Sequence, residues 1–223
     1  MDIDLQEGYK LFEIKKTQIK MVKRRGYNVG DEENLLNYTA EQFLDIYVPY
    51  AKSQNKSVRN ILTTYYKNDD GSRLYVYYAD ITDKKKLGVE TIEDFIRGLD
   101  EKKARNGIII TSKPLTTESK KKIQNLLTYN IYTFTEDEMS YDPTEHYLTP
   151  EHVALSADEQ REFLMKNDLN IDQLPIILNT DMISRYYGFK TGQIIKINRI
   201  NLYDTIVQNS VYYRAVREDI TTL

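Results

Sequence analysis

The chain has 223 residues, 40% of them hydrophobic and 29% charged, with a formal net charge of −3. That length admits one large domain or two small ones. The composition is that of a soluble globular protein, and the lack of cysteine excludes disulfides and thiolate chemistry. No apolar run of about 18 residues exists, so a membrane-crossing helix is not expected. The acidic start Met1-Asp2-Ile3-Asp4 lacks an apolar signal core, so secretion is not expected either. A reducing compartment, cytosol or nucleus, follows. Tyr is abundant (19 residues) and Trp absent, which suggests an A+T-rich coding genome. Residues 1–140 hold 23 Lys+Arg against 22 Asp+Glu, and residues 141–223 hold 8 against 12. Neither part is a strongly basic nucleic-acid binder, so any such contact must come from a local patch.

In chain order, Leu5, Tyr9, Phe12, Ile19 and Val22 are spaced for one helical face, and Gly26 ends that helix. A second helix opens at Thr39-Ala40-Glu41-Gln42, a capping box, with Phe43, Ile46, Tyr47 and Tyr50 along its face. Ile61–Lys67 and Ser72–Ala79 read as a strand pair turned by Asn68-Asp69-Asp70-Gly71. Helix and strand then alternate. Thr91 is expected to cap a helix carrying Ile92, Phe95, Ile96 and Leu99, and Gly107 precedes a buried strand at Ile108–Thr111. Thr116 caps a helix with Ile123, Leu126 and Leu127, and Ile131–Phe134 is a further strand. This is a small α/β layer domain.

A polar, acidic stretch broken by Pro143 and Pro150 marks a boundary near residues 136–150. Beyond it, Ser156-Ala157-Asp158-Glu159 is a second capping box, and Ile176–Leu178 reads as a short strand. Asp181 or Thr180 caps a helix ending at Gly188. Gly192 turns the chain into strand Gln193–Arg199, and Val211–Val216 forms the last strand. Gly188 and Gly192 are expected to take positive φ. The alternation around Lys196 and Arg199 predicts one apolar and one charged face, suited to a partner chain. Tyr186 and Tyr187 read as core or interface aromatics.

Candidate chemistry is sparse. Glu145-His146 and Glu151-His152 offer zinc-type ligands, but their spacing crosses Pro150 and suits no compact helical site, which favours a structural role. A carboxylate-metal nuclease would need Glu-x-Lys on the strand after Asp80, where Thr111-Ser112-Lys113 stands instead. No phosphate loop or Ser or Cys nucleophile motif is present. Lysine clusters occur at 84–86, 102–103 and 120–122. Such runs are usually solvated faces. The third lies at a helix start, where backbone amides and the positive end of the helix favour phosphate, although Glu118 opposes it.

The residues from 146 onward carry a resemblance. His146-Tyr147-Leu148-Thr149-Pro150-Glu151-His152, Leu174-Pro175-Ile176-Ile177, Asp181, Arg185-Tyr186-Tyr187-Gly188, Lys190-Thr191-Gly192, Ile195-Lys196-Ile197-Asn198-Arg199 and Tyr213-Arg214-Ala215-Val216 occur in that order. Together they resemble the assembly module of the fifth shared subunit of eukaryotic nuclear RNA polymerases, which has a small counterpart in the archaeal polymerase. So ordered a set over about 70 residues is far more specific than any isolated motif. Leu74–Tyr78, Leu87-Gly88-Val89 and Ile108–Ile110 extend the likeness, more loosely, to the jaw domain of the eukaryotic form. Met182 stands where the family has Pro, and the family's Ser-x-Thr-Ala-Gly hairpin is replaced by residues 200–209. Such divergence fits a virus-encoded copy as well as a fast-evolving or A+T-rich eukaryote.

The resemblance implies a fold of α/β (α+β) class, with a nuclease-like jaw over residues 1–140 and a small mixed α/β assembly domain over 144–223. It implies a non-catalytic subunit of a multisubunit DNA-directed RNA polymerase, with no cofactor, no metal and no membrane. Its partners would be the largest and other polymerase subunits and downstream double-stranded DNA. It would reside in the nucleus, or in a viral factory or virion if virus-encoded. The implied assembly residues are His146, Pro150, His152, Pro175, Asp181, Arg185, Tyr186, Gly188, Lys190, Gly192, Lys196, Arg199, Tyr213 and Arg214. The implied DNA-facing set is Thr116, Thr117, Ser119, Lys120, Lys121 and Lys122. The competing readings are a nuclease-like DNA-processing enzyme and a free-standing transcription adaptor.

Overall fold

The computed structural model describes residues 4–80, 87–200 and 209–219. The lysine cluster at 84–86 and residues 201–208 of the divergent segment 200–209 lie outside these. The chain divides into two compact units, Met1–Tyr141 and Asp142–Leu223.

In the first unit the sheet order is β1-β2-β3-β4, with β1 (Thr64–Lys67), β2 (Arg73–Ala79), β3 (Asn106–Thr111) and β4 (Asn130–Thr135). β1 pairs antiparallel with β2, and β2, β3 and β4 run parallel. The parallel strands need helical crossovers, supplied by α4 (Val89–Glu101) and α5 (Thr117–Gln124). α4 lays Ile92, Phe95 and Leu99 against Tyr75, Ala79 and Ile109 on one sheet face. It sits close: a Cβ on Gly107 would lie 2.6 Å from the Phe95 ring, and one on Gly98 2.5 Å from Tyr75. The other face meets α1 (Leu5–Arg24), whose Gln18 amide donates to the Tyr66 hydroxyl at 2.8 Å. With helices on both faces, the central strands read as unbroken apolar runs such as Ile108-Ile109-Ile110.

α1 ends where expected. The Gly26 N–H reaches the Lys23 carbonyl and the Tyr27 N–H the Val22 carbonyl, the paired bonds of a Schellman cap. Its buried face differs from the expected one. Gly8, Leu11, Phe12, Lys15, Gln18, Ile19 and Val22 are inside, while Leu5 and Tyr9 are exposed. α2 (Ala40–Ser53) packs across Gly8 through Leu44, which turns the helix off the Leu5–Tyr9 line. The Thr39–Gln42 capping box is formed. Of the predicted α2 face, Phe43 is buried, but Ile46 and Tyr50 are exposed.

Three more expectations are corrected. Ile61 and Leu62 belong to a short helix, α3 (Val58–Leu62), because the Ser57 hydroxyl accepts from the Asn60 N–H and starts a turn. α4 begins at Val89 after Gly88, so Thr91 lies inside the helix rather than capping it. α5 stops at Gln124, leaving Leu127 92% exposed beyond it. The unit closes with α6 (Glu136–Met139), whose Glu136 is held by Arg59 at 2.7 and 3.2 Å.

In the second unit the order is β5-β7-β8-β6, with β5 (Glu151–Ala154), β6 (Ile176–Leu178), β7 (Ile194–Ile200) and β8 (Asn209–Arg217). β5–β7 and β7–β8 are antiparallel, and β6–β8 is parallel. α7 (Ala157–Asn167) covers one face, with Phe163 and Leu164 packed by Ile194, Ala215 and Leu174. α8 (Met182–Tyr187) covers the other, with Ile183 and Tyr187 packed by Ile177, Ile195, Ile197 and Val216. Both faces are therefore partly apolar, contrary to the expectation of one charged face. Strand residues alternate sides, so Lys196 and Arg199, three apart, stand on opposite faces.

Candidate docking surface and candidate nucleic-acid interface

The implied assembly residues separate into those that build the second unit and those that face outward. Asp181 caps α8, its Oδ1 accepting the Ile183 N–H at 2.8 Å and the Ser184 N–H at 3.5 Å. That cap starts the helix without the family's proline. The Arg185 Nε donates to the Thr180 carbonyl at 3.0 Å. Tyr186 is fully buried and edge-on to Tyr187. Gly188 ends α8 at φ 71°, and Gly192 takes φ 89° while its N–H reaches the Val216 carbonyl at 3.0 Å. Both are left-handed conformations that a Cβ disfavours. The Lys190 N–H is held by Gln193 at 2.7 Å, and the Pro175 carbonyl accepts the Ala215 N–H at 2.8 Å. Tyr213 stacks on Phe163 with centroids 4.1 Å apart. These contacts are framework.

The outward-facing part begins at the entry to β5. His146 is exposed, stacks on Tyr147, and accepts the Leu148 N–H on Nδ1 at 3.2 Å. Tyr147 (73% exposed) and Leu148 present apolar surface beside it, and Val153 is exposed on β5. His152 is half-buried, with Nδ1 2.7 Å from the Pro150 carbonyl. A carbonyl only accepts, so Nδ1 carries the proton. Burial, reinforced by Arg214 and Arg199, holds this imidazole below its ordinary 6.5 against the opposing pull of the Pro150 bond and Asp181. Lys196 is partly buried; Arg199 and Arg214 are exposed, Arg214 donating to the Ile176 carbonyl at 2.9 Å. Tyr212, which the motif pattern does not contain, lies in the open under Arg199, 5.2 Å from ring centroid to guanidinium. The alternation of β8 was the signal that could have found it.

At the start of α5 the implied DNA set is split. The Thr116 hydroxyl caps the helix by accepting the Ser119 N–H at 3.2 Å. Ser119 is a correction: it is fully buried, and its hydroxyl donates to the Leu87 carbonyl at 3.0 Å. A phosphate outside the helix cannot reach it. Lys122 leans back onto Glu93 at 2.5 Å. Thr117, Glu118, Lys120 and Lys121 are exposed. Among the described residues, Lys120 and Lys121 have no carboxylate within 4.0 Å, and the Thr117 and Glu118 N–H groups have no acceptor. The site therefore keeps two amides and two lysines, with Glu118 beside them.

The strand ends where nuclease chemistry would sit offer no such set. Asp80 follows β2, and the buried Thr111 hydroxyl at the end of β3 is spent on the Phe134 carbonyl at 3.3 Å. Among the described residues, no three His, Cys, Asp or Glu are grouped to hold a metal. Nor is any of their helices long and apolar enough to cross a membrane.

The fold and its outward residues define a two-unit α/β protein that offers other macromolecules contact surfaces. Residues 5–99 match the family "RNA polymerase Rpb5, N-terminal domain", and residues 141–216 match "RNA polymerase Rpb5, C-terminal domain". The chain is 33% identical over 199 residues, 88% of its own length and 92% of the relative's, to a Caenorhabditis briggsae protein named "DNA-directed RNA polymerases I, II, and III subunit RPABC1". A Caenorhabditis elegans protein of the same name is 33% identical over 201 residues, 88% and 92% of the two chains. An Arabidopsis thaliana protein named "DNA-directed RNA polymerase subunit 5-like protein 1" is 28% identical over 200 residues, 89% and 92%. The chain belongs to the Rpb5 family: it is a structural subunit of DNA-directed RNA polymerase and not an enzyme by itself.

Proposed function

We propose that residues 142–223 dock this chain on the largest polymerase subunit, and that residues 1–141 face downstream duplex DNA with the start of α5 towards the phosphates. The observation that carries this reading is that the two family matches divide between the two compact units. The second unit spends its motif residues on a rigid frame and leaves His146, Tyr147, Leu148, Arg199, Tyr212 and Arg214 at its surface. The first keeps Lys120, Lys121 and two helix-start amides clear of internal partners among the described residues, a sequence-independent phosphate site in kind. Packing and positioning are the whole contribution; nucleotide addition belongs to other subunits. The relatives come from nematodes and a plant, and we place the chain in the nucleus with them.

The test is affinity purification of the tagged full chain, followed by crosslinking mass spectrometry of the purified complex. The expected result is large polymerase subunits in stoichiometric amount, with crosslinks from residues 142–219 to the largest one. Recovery of the chain alone, or crosslinks to the largest subunit from residues 1–141 only, would reject the assignment.

A further inference from the structure

The second unit carries more acidic than basic residues, 12 against 8 over residues 141–223, yet one part of its surface is cationic. The strand register puts His152, Ile197 and Tyr212 in one row across β5, β7 and β8. Arg214 lies two residues along β8 from Tyr212, and Arg199 two along β7 from Ile197, so both share that face. Tyr212 is 49% exposed, with the Arg199 guanidinium over its ring. Two other arginines of this unit are neutralised, Arg161 by Asp158 and Arg217 by Asp172. Arg199 and Arg214 have no carboxylate within 4.0 Å among the described residues. Two uncompensated guanidiniums therefore flank one open tyrosine.

Guanidinium forks match carboxylates in a planar, paired geometry. Arginine and tyrosine are also the side chains most enriched at the energetic centres of protein interfaces. A long polyanion is disfavoured here, because the rest of the unit would repel it. A short acidic stretch of polypeptide can meet the two arginines without that cost. We propose that Arg199, Tyr212 and Arg214 form an anchoring spot for a carboxylate-rich segment of a partner polymerase subunit. The inference rests on the reading of this unit as the docking part. The competing explanation is internal: the Arg199–Tyr212 contact only steadies the β7–β8 pair through a cation–π contact.

The experiment places photoreactive benzoylphenylalanine at Tyr212 of the full chain, purifies the polymerase, irradiates it and sequences the crosslinked peptides. The expected product joins position 212 to a segment of another subunit rich in Asp and Glu. In parallel, Arg199→Glu/Arg214→Glu is expected to lower recovery of the chain with polymerase about tenfold or more, the scale of losing one interfacial charge contact, with its melting temperature kept. Crosslinks to a neutral or basic segment or to nucleic acid, or none from an intact complex, overturn the proposal. So does unchanged recovery of the double variant. If the chain enters no polymerase, the docking reading itself fails, and a peptide titration decides the spot. Fluorescence anisotropy of the full chain with labelled peptides of alternating Glu and Val or alternating Lys and Val is then read. Binding of the Glu peptide alone, abolished in the double variant, upholds it; equal binding or none overturns it.

Discussion

The Lys15 side chain is 1% exposed, and its ε-amine lies 3.0 Å from Glu32, 2.9 Å from Gln18 and 3.3 Å from the Tyr66 hydroxyl. Glu32 sits on the 3₁₀ segment Gly30–Asn37 and also accepts from the Tyr66 hydroxyl. Burial lowers the Lys15 pKa, and Glu32 opposes that shift. One carboxylate thus compensates one buried cation and fastens this segment to α1 and β1. Glu32→Gln keeps the shape and removes the charge. The cost is that of a buried ion left alone, about 3–5 kcal/mol. Lys15→Met removes the cation together with its desolvation penalty but leaves Glu32 without its partner; because Glu32 keeps 27% of its side chain in solvent, this variant alone is destabilised less than Glu32→Gln. The diagnostic outcome is the double variant: Lys15→Met added to Glu32→Gln should restore stability. The assay is hydrogen exchange of α1 peptides read by mass spectrometry, because the chain has two units and no Trp. A loss of about 3 kcal/mol should speed the slowest amides roughly 150-fold if they open with the unit. Exchange in Glu32→Gln within a few-fold of wild type, or a double variant no more stable than Glu32→Gln, would refute the reasoning.

Gly188→Val and Gly192→Val each place a β-branched residue at φ 71° or 89°, and each should lower the melting temperature of the second unit by several degrees, at about 1–3 kcal/mol of strain; unchanged melting would mean that the backbone relaxes freely there. The His152 pKa is depressed in the fold, so the unfolded chain binds the proton more tightly and stability falls as pH drops below about 6.5. Melting of the second unit at pH 7.5, 6.5 and 5.5 should show that decline, and His152→Asn should reduce its slope; an identical slope in the variant contradicts the reasoning. Lys120→Glu/Lys121→Glu should reduce the salt tolerance of elongation complexes on duplex templates without changing the rate of nucleotide addition, since phosphate contacts are screened by salt. An unchanged salt response would remove α5 from the DNA path.

Local signals in the chain were reliable where a few neighbouring residues close their own hydrogen bonds. Thr39–Gln42 and Ser156–Glu159 form capping boxes in the structure, Gly26 and Gly188 end their helices, and Gly71 closes the turn between β1 and β2. The failures have two physical sources: partners distant in the chain, and a local cap that outweighs a strand-like composition. Lys15 and Gln18 break the apolar pattern of α1, yet they are buried because Tyr66, about fifty residues away, supplies a hydroxyl. Leu5 and Tyr9 continue the pattern and stay outside. Ile61-Leu62-Thr63-Thr64 has the β-branched content of a strand, but the hydroxyl of Ser57 wins its first half for a helix.

The site was legible in a more particular way. The motif residues that identify the family are mostly those the fold cannot do without: Asp181 starts α8, Gly188 stops it, Gly192 turns the chain and Tyr186 fills the core. Recognition of the family is therefore recognition of a frame, and the contact surface must be read from what the frame leaves outside. Parity decides that reading. Lys196 and Arg199 look equivalent in the motif, but an odd separation on a strand sends them to opposite faces. Lys196 stands across from Tyr213 in the register, on the face that α7 partly covers. Arg199 goes to the face of His152, Tyr212 and Arg214, beyond the cluster that α8 packs. The same sorting separates Ser119 from Lys120 and Lys121 at the start of α5, one turned to Leu87 and the others to solvent. The strand distinction follows from spacing once the strand is recognised, whereas the burial of Ser119 rests on the Leu87 carbonyl 32 residues away, which no local spacing records.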